Sequence, residues 1–227
     1  MINYNKIFGV EDSYQAPGKI MEILYNKENR EKLFMDILEA NDYNVDNDFF
    51  REYFEQEHAD RKVKKQDFTP PSVANLLSRL TMNVDEPGNY YECCCGTGSI
   101  LISHWNNFRR TYLPWDYKPQ YHFAFVEELS DRAIPFLLLN MMIRGMNGIV
   151  IHGDVFSRKC KNAYFICNTK NDHLQFSGIS NIPHTEQFEK ELRVKFISED
   201  YVEHVEAMTL EEINNLQQIN NIIKERF

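Results

Sequence analysis

A disulfide framework, a membrane span and an excess of positive charge are all missing from this 227-residue sequence. It has five cysteines: Cys93, Cys94 and Cys95 in a row, with Cys160 and Cys167 apart. An odd number in that arrangement is no disulfide scaffold. Adjacent strand residues point to opposite faces, so the triplet cannot converge on one metal ion. The cysteines are expected to be small buried apolar residues in a reducing, cytoplasmic protein. No apolar run reaches the length of a membrane span, and residues 1–10 hold no apolar core of signal-peptide length. The 25 basic and 34 acidic residues leave a net charge of −9 and a pI of about 5.3. Such a chain does not coat nucleic acid by bulk charge. DNA contact would need a local basic patch or a separate subunit. Internal repeats and low-complexity tracts are also missing.

What is present is ordinary globular material, 43% hydrophobic with 16 Phe and 12 Tyr. That suffices for one real core. Three parts are expected: a helical N-terminal lobe over residues 1–60, an α/β domain over 61–200, and an amphipathic C-terminal helix over 201–227. In the first part Ile20, Ile23 and Leu24 fall on one helical face, and Leu33, Phe34, Ile37 and Leu38 on another. The segment 46–58 is acidic and aromatic. A basic run, 61–65, reads as a solvated linker. A helix over 72–80 follows, capped by Thr69 or Ser72.

From Pro87 onward strands alternate with helices. Residues 89–94, 121–126, 148–152 and 163–167 read as strands, and 99–106 and 131–144 as helices. The second of these helices is apolar on all sides and stops at Gly145, so both its faces should be buried. Alternation of this kind predicts a doubly wound parallel sheet. Residues 193–197 read as a further strand. In the C-terminal helix Leu210, Ile213, Leu216 and Ile219 recur at helical spacing.

Ligands of a doubly wound sheet sit at the carboxyl ends of its strands. Four features fall there in order. Glu92 opens a glycine turn containing Gly96 and Gly98, which lets backbone approach a ligand. Glu128, with Glu127 as the alternative, ends the second strand, where a carboxylate takes ribose hydroxyls. Gly153 and Asp154 follow the third strand. Asn168 follows the fourth.

This ordered set resembles the N6-adenine DNA methyltransferases, especially the modification subunits of type I restriction systems. Gln66-Asp67-Phe68-Thr69-Pro70 matches the family's Q-F-F-T-P stretch except at Asp67. Residues 92–98 match its D-P-x-C-G-S-G loop in the acid, Cys95, Gly96 and Gly98. Glu128, Asn140 and Gly145 keep its acid, M-N and glycine spacing, and Gly153-Asp154 is its G-D pair. The likeness spans roughly residues 60–170. It implies a Rossmann-like methyltransferase fold that binds S-adenosylmethionine; the family's sheet has several more strands past residue 171 than the remaining residues can form, so a sheet shortened at one edge is expected. Thr69, Glu92, Gly96 and Gly98 would hold the methionyl end and Glu128 the ribose. Asp154 would read the adenine amine, with Val155 or Phe156 against the ring.

The family's catalytic loop is N-P-P-F or N-P-P-Y; here it is Asn168-Thr169-Lys170-Asn171. Asn168 is the implied catalytic residue. Lys170, Asn171, His173 and Phe176 are the candidate substrate contacts. Two functions compete: methyl transfer to adenine N6 in DNA, and an inactive module acting through a protein partner in phage or restriction–modification conflict. Trp105, Phe108, Arg109, Arg110, Tyr112, Trp115 and Tyr117 form a basic and aromatic stretch able to stack on bases, or else an inserted loop packed on the core.

Overall fold

A computed structural model describes residues 2–57, 69–82, 88–198 and 201–206. Five helices come first: α1 (Tyr4–Phe8), α2 (Ala16–Leu24), α3 (Lys27–Ala40), α4 (Arg51–Glu57) and α5 (Pro71–Thr81). The α/β part follows as β1 (Gly88–Cys93), α6 (Ser99–Arg109), β2 (His122–Glu128), α7 (Ala133–Ile143), β3 (Asn147–Gly153), β4 (Lys159–Cys167), β5 (Gly178–Asn181), α8 (Glu186–Leu192) and β6 (Lys195–Phe196). The class is mixed α/β, as expected. Pro70 stands at the N-cap of α5 with no side-chain cap, so neither Thr69 nor Ser72 has the capping place expected for it.

The strands form one sheet in the order β1-β2-β3-β4-β5, with β6 beside the start of β4. The first three are parallel, with Tyr91 opposite Phe125 and Phe125 opposite Ile149. Two crossovers, through α6 and α7, bring the carboxyl ends of β1, β2 and β3 to one edge. The fourth strand corrects the expectation of a parallel sheet throughout: β4 runs antiparallel to β3, with Gly153 opposite Cys160. Only Asp154, Val155, Phe156, Ser157 and Arg158 separate the two strands. A parallel return needs a crossover of about a dozen residues, so this connector can only make a hairpin. Its tightness shows at Gly153, where a Cβ would lie 2.6 Å from the Lys159 carbonyl oxygen. β5 pairs antiparallel with β4, and β6 parallel with it.

Strand alternation splits the core in two. Tyr90, Ala124, Val126, Val150, Tyr164 and Ile166 face the larger cluster, which takes in α6, α7 and the N-terminal helices. Phe125, Ile149, Ile151, Ala163 and Phe165 face Phe188 and Leu192 of α8. Every residue of α7 is buried, because the sheet covers one side and aromatics of the N-terminal part cover the other. The Phe136 ring lies 5.2 Å from Phe50, 5.7 Å from Phe54 and 6.0 Å from Phe8. Removing a ring so enclosed typically costs about 3–5 kcal/mol. The helices expected as an N-terminal lobe thus share one core with the sheet.

Tyr201–Glu206 continues without helix. The Asn181 N–H donates to the His204 carbonyl at 2.8 Å, and Arg30 forks onto the Glu206 carboxylate at 2.7 and 2.8 Å. The basic run 61–65 and the amphipathic stretch 210–223 lie outside the described residues.

Candidate cofactor site

Positive φ angles at Cys94 (59°), Gly96 (61°) and Gly98 (98°) turn the chain from β1 into α6. Glycine is the residue that takes such angles without strain. The turn is tied to β2. The Cys95 N–H donates to the Glu127 carbonyl at 3.0 Å, and the Gly96 N–H donates to Glu128 Oε2 at 2.7 Å. The other oxygen of Glu128 accepts from the Ser130 N–H at 2.7 Å. Glu128, only 6% exposed, is therefore the acid that meets the glycine turn. Glu127 points elsewhere: it accepts from the Tyr91 hydroxyl at 2.9 Å and from Arg158 Nη1 at 2.7 Å.

The cysteines correct an expectation. Cys95 is buried, but Cys93 and Cys94 are exposed. β1 ends at Cys93 and the left-handed Cys94 leaves the pleat, so strand alternation stops applying there.

Beneath the turn sits Glu92. It accepts from the Tyr90 hydroxyl at 2.9 Å and from Cys95 Sγ at 3.3 Å. Burial pushes its carboxyl up to about 7, a rise that these two donors and the Leu101 amide oppose but do not cancel. No cation neutralises it among the described partners. Burial and the neighbouring Glu92 likewise hold the Cys95 thiol well above its ordinary range.

Asp48 was not singled out from the sequence. It accepts from the hydroxyls of Thr97 and Ser99 and from Asn140 Nδ2 at 2.8 Å, and so anchors the first turn of α6. Asn140 also donates to the Thr97 carbonyl at 2.8 Å. Arg144 holds Asn140 from below, reaches the carbonyls of Val45 and Asn47, and lies over the Phe49 ring at 4.3 Å. Burial lowers this guanidinium to about 9, with Asp48 pulling it back up. Asp48 is 49 residues from Thr97 and 92 from Asn140, and no local spacing signals such a link.

Asp154 sits at the same edge, in the hairpin turn. Its carboxylate accepts from Ser157 Oγ at 2.7 Å and from the Phe156 N–H at 3.0 Å. These bonds, Ser157 first, hold its pKa below the usual carboxylate value. The acid expected to read an adenine amine thus builds its own turn with one bond to each oxygen and keeps acceptor capacity beyond them. Val155 is half-buried beside it, and Phe156 is 93% exposed. Thr69 is half-buried just before α5, which packs along α6 through a 2.8 Å bond from Asn107 to Ser78.

Asn168 is not at this edge. Because β4 runs backward, its carboxyl end lies beside the start of β3. The Asn168 N–H donates to Asn147 Oδ1 at 2.6 Å, whereas Glu128 pairs with His152 at the far end of β3. Five residues of strand separate those levels, roughly 17 Å at the usual rise. The side chain, 3% exposed, is consumed locally. Nδ2 donates to the carbonyls of Asp172 and Gln175 at 2.8 and 2.9 Å, and Oδ1 accepts from the Asp172 N–H at 3.2 Å. The expected substrate contacts stay with it. Lys170 reaches Gln175 at 3.4 Å, Asn171 brackets Gln120, His173 lies 4.0 Å from Asp172, and Phe176 packs on Phe34 at 5.0 Å.

The basic and aromatic stretch is mostly interior. Trp105, Phe108 and Tyr117 are buried, and Trp105 donates to the Tyr117 hydroxyl at 3.0 Å. Arg109 and Arg110 both pair with Asp46. Trp115 stays exposed. Among the described residues no group of three or more His, Cys, Asp or Glu is placed to hold a metal ion. None of their helices is long and apolar enough to cross a membrane.

A parallel β-α-β-α-β unit, with a glycine turn after its first strand and a buried carboxylate after its second, defines a nucleotide-cofactor fold of the methyltransferase kind. A family model of the N-6 DNA methylases matches residues 45–225, and the chain belongs to that family. Membership implies, in general terms, methylation of adenine in DNA with S-adenosylmethionine. The match begins at Val45 and so takes in Asp48. Among curated proteins none matches the chain.

Proposed function

We propose that this chain binds S-adenosylmethionine at the glycine turn but does not itself methylate adenine, and that it acts through a protein partner in a DNA-modification or restriction system. The observation that carries the second part is the β3–β4 hairpin. Methyl transfer needs the reacting atoms about 3–3.5 Å apart. The one retained residue of the catalytic loop, Asn168, is at the opposite end of the sheet and bonded to its own loop.

The cofactor half of the site is coherent. Backbone at Gly96 and Gly98 gives the close approach a methionyl tail needs. Glu128 stands where a ribose would be taken, each oxygen keeping acceptor capacity beyond its one amide. Asp48 and Glu128 add negative field beside a cofactor carrying a sulfonium. Val155 and the exposed Phe156 offer apolar surface for the adenine ring. When bound, the cofactor would supply an electrophilic methyl group; these residues bind and orient it. The finer likeness to type I modification subunits rests on the motifs at residues 66–70, 92–98 and 128–154 and suggests where a partner belongs.

Calorimetric titration with S-adenosylmethionine, followed by labelled-methyl transfer to unmethylated DNA, tests both parts. Saturable binding without transfer is the expected result. Transfer to adenine by the isolated chain would refute the reading, and its loss in Asn168→Ala would return Asn168 to catalysis; absence of binding would remove the cofactor half.

A further inference from the structure

Cys93 and Cys94 stand at the lip of the glycine turn, both exposed. In a continuing strand their side chains would point to opposite faces. Here Cys93 is the last residue of β1 and Cys94 has φ of 59°, so the alternation that would hold the two thiols on opposite faces ends between them. The third thiol, Cys95, is buried and donates to Glu92 instead. The exposed pair is thus set apart from every other cysteine of the chain: Cys160 is buried, with its thiol on the Asn162 carbonyl, and Cys167 lies at the far end of β4.

We propose that Cys93 and Cys94 are a redox modification site, closing to a disulfide between adjacent residues and so displacing the glycine turn. The oxidant is a low-molecular-weight disulfide. The thiolate of one cysteine attacks it, forming a mixed disulfide and releasing one small thiol. The second cysteine then attacks the mixed disulfide, forming the Cys93–Cys94 bond and releasing the other. Two electrons pass from the cysteine sulfurs to the oxidant, and both thiol protons end on the released thiols. Adjacent Cα atoms are about 3.8 Å apart across a trans peptide, closer than the roughly 4.4–6.8 Å of ordinary disulfides. The ring is strained and therefore easily reduced, which suits a reversible switch rather than a staple. The strain falls on the peptide that leads into Cys95 and Gly96. The amides of those two residues hold the turn to Glu127 and Glu128.

The full chain is equilibrated with oxidised glutathione, then alkylated, digested and weighed. The peptide containing residues 93–95 should lose two hydrogens and keep one alkylatable cysteine. The two-hydrogen loss should persist in Cys95→Ser, with no alkylatable cysteine left in that peptide, and vanish in Cys93→Ser and in Cys94→Ser. Amide exchange of the turn, residues 95–98, should speed up on the order of tenfold on oxidation and recover with dithiothreitol. Persistent glutathione adducts, disulfide-linked dimers or an unreacted pair would overturn the proposal. So would a closed ring that leaves exchange of the turn unchanged. Neither readout needs cofactor, so failure of S-adenosylmethionine binding would strike the preceding reading and leave this one standing.

Discussion

Glu92→Gln offers a quantitative test of the half-buried acid beneath the glycine turn. Glu92 accepts from Tyr90 and Cys95, and burial raises its carboxyl from 4.5 to about 7. In the unfolded chain the group ionises near its ordinary value. Between those two values the native state holds a proton that the unfolded state has released, so this group's contribution to stability falls as pH rises. It is fully present below about 4.5 and lost above about 7. A displacement of this size is worth about 3 kcal/mol when complete. Gln keeps the shape and the acceptor but cannot ionise. The comparison must be made between variant and parent, because His122 acts the other way. Burial, then the neighbouring His104, lowers its imidazole from 6.5 to about 3, and its contribution is lost as pH falls below 6.5. Subtracting the parent curve cancels that term. The expected result, in urea melts at about pH 5 and about pH 8, is a variant that gains roughly 2–3 kcal/mol on the parent between the two. By thermal melting the gain is roughly 5–10 °C for a chain of this size. Curves that stay parallel across that range would refute an acid held protonated without a counter-charge.

Three further outcomes are expected. Asn168→Ala leaves the Asp172 and Gln175 carbonyls without their donor and should cost about 2 kcal/mol in urea unfolding, with S-adenosylmethionine affinity unchanged; a loss of affinity would return Asn168 to the cofactor site. Gly98→Ala forces a side chain to φ of 98° and sets its Cβ 3.0 Å from Leu137, and should cost about 1–2 kcal/mol by the same melts. Asp48→Ala strips acceptors from Thr97, Ser99 and Asn140 and should destabilise the fold by about 2–3 kcal/mol while weakening cofactor binding by calorimetry; unchanged affinity would make Asp48 purely structural.

The β1-α6-β2-α7-β3 unit was legible because its apolar runs are long and its ends are marked by glycines and acids. The direction of β4 was not. An apolar run such as Ala163–Tyr164–Phe165–Ile166 says that a strand is buried, not which way it points. The polar start of that strand, Lys159, Lys161 and Asn162, made the connector look longer than it is, and only a short connector betrays a hairpin. Asp154 was placed at the right edge, but its turn-forming bonds to Phe156 and Ser157 were missed, although Asp followed by Ser at that spacing is a turn signal. Strand β5 and helix α8 carry little signal: the first is four residues long, and the second shows itself only by the Thr185 cap and its acidic first turn. The Asp48 anchor joins segments too far apart in sequence for any local pattern to reveal.

The strand order also has a kinetic meaning. Each pairing along the path from β1 to β5 joins consecutive strands, so the sheet can grow by addition at one side as the chain emerges, with no strand inserted between earlier ones. Such pairings close short loops and favour rapid assembly. The N-terminal helices behave in reverse. Made first, they can pack Phe8 on Phe50, but the face that meets Phe136 stays uncovered until α7 is laid on the sheet. An aromatic face left uncovered over that interval favours aggregation.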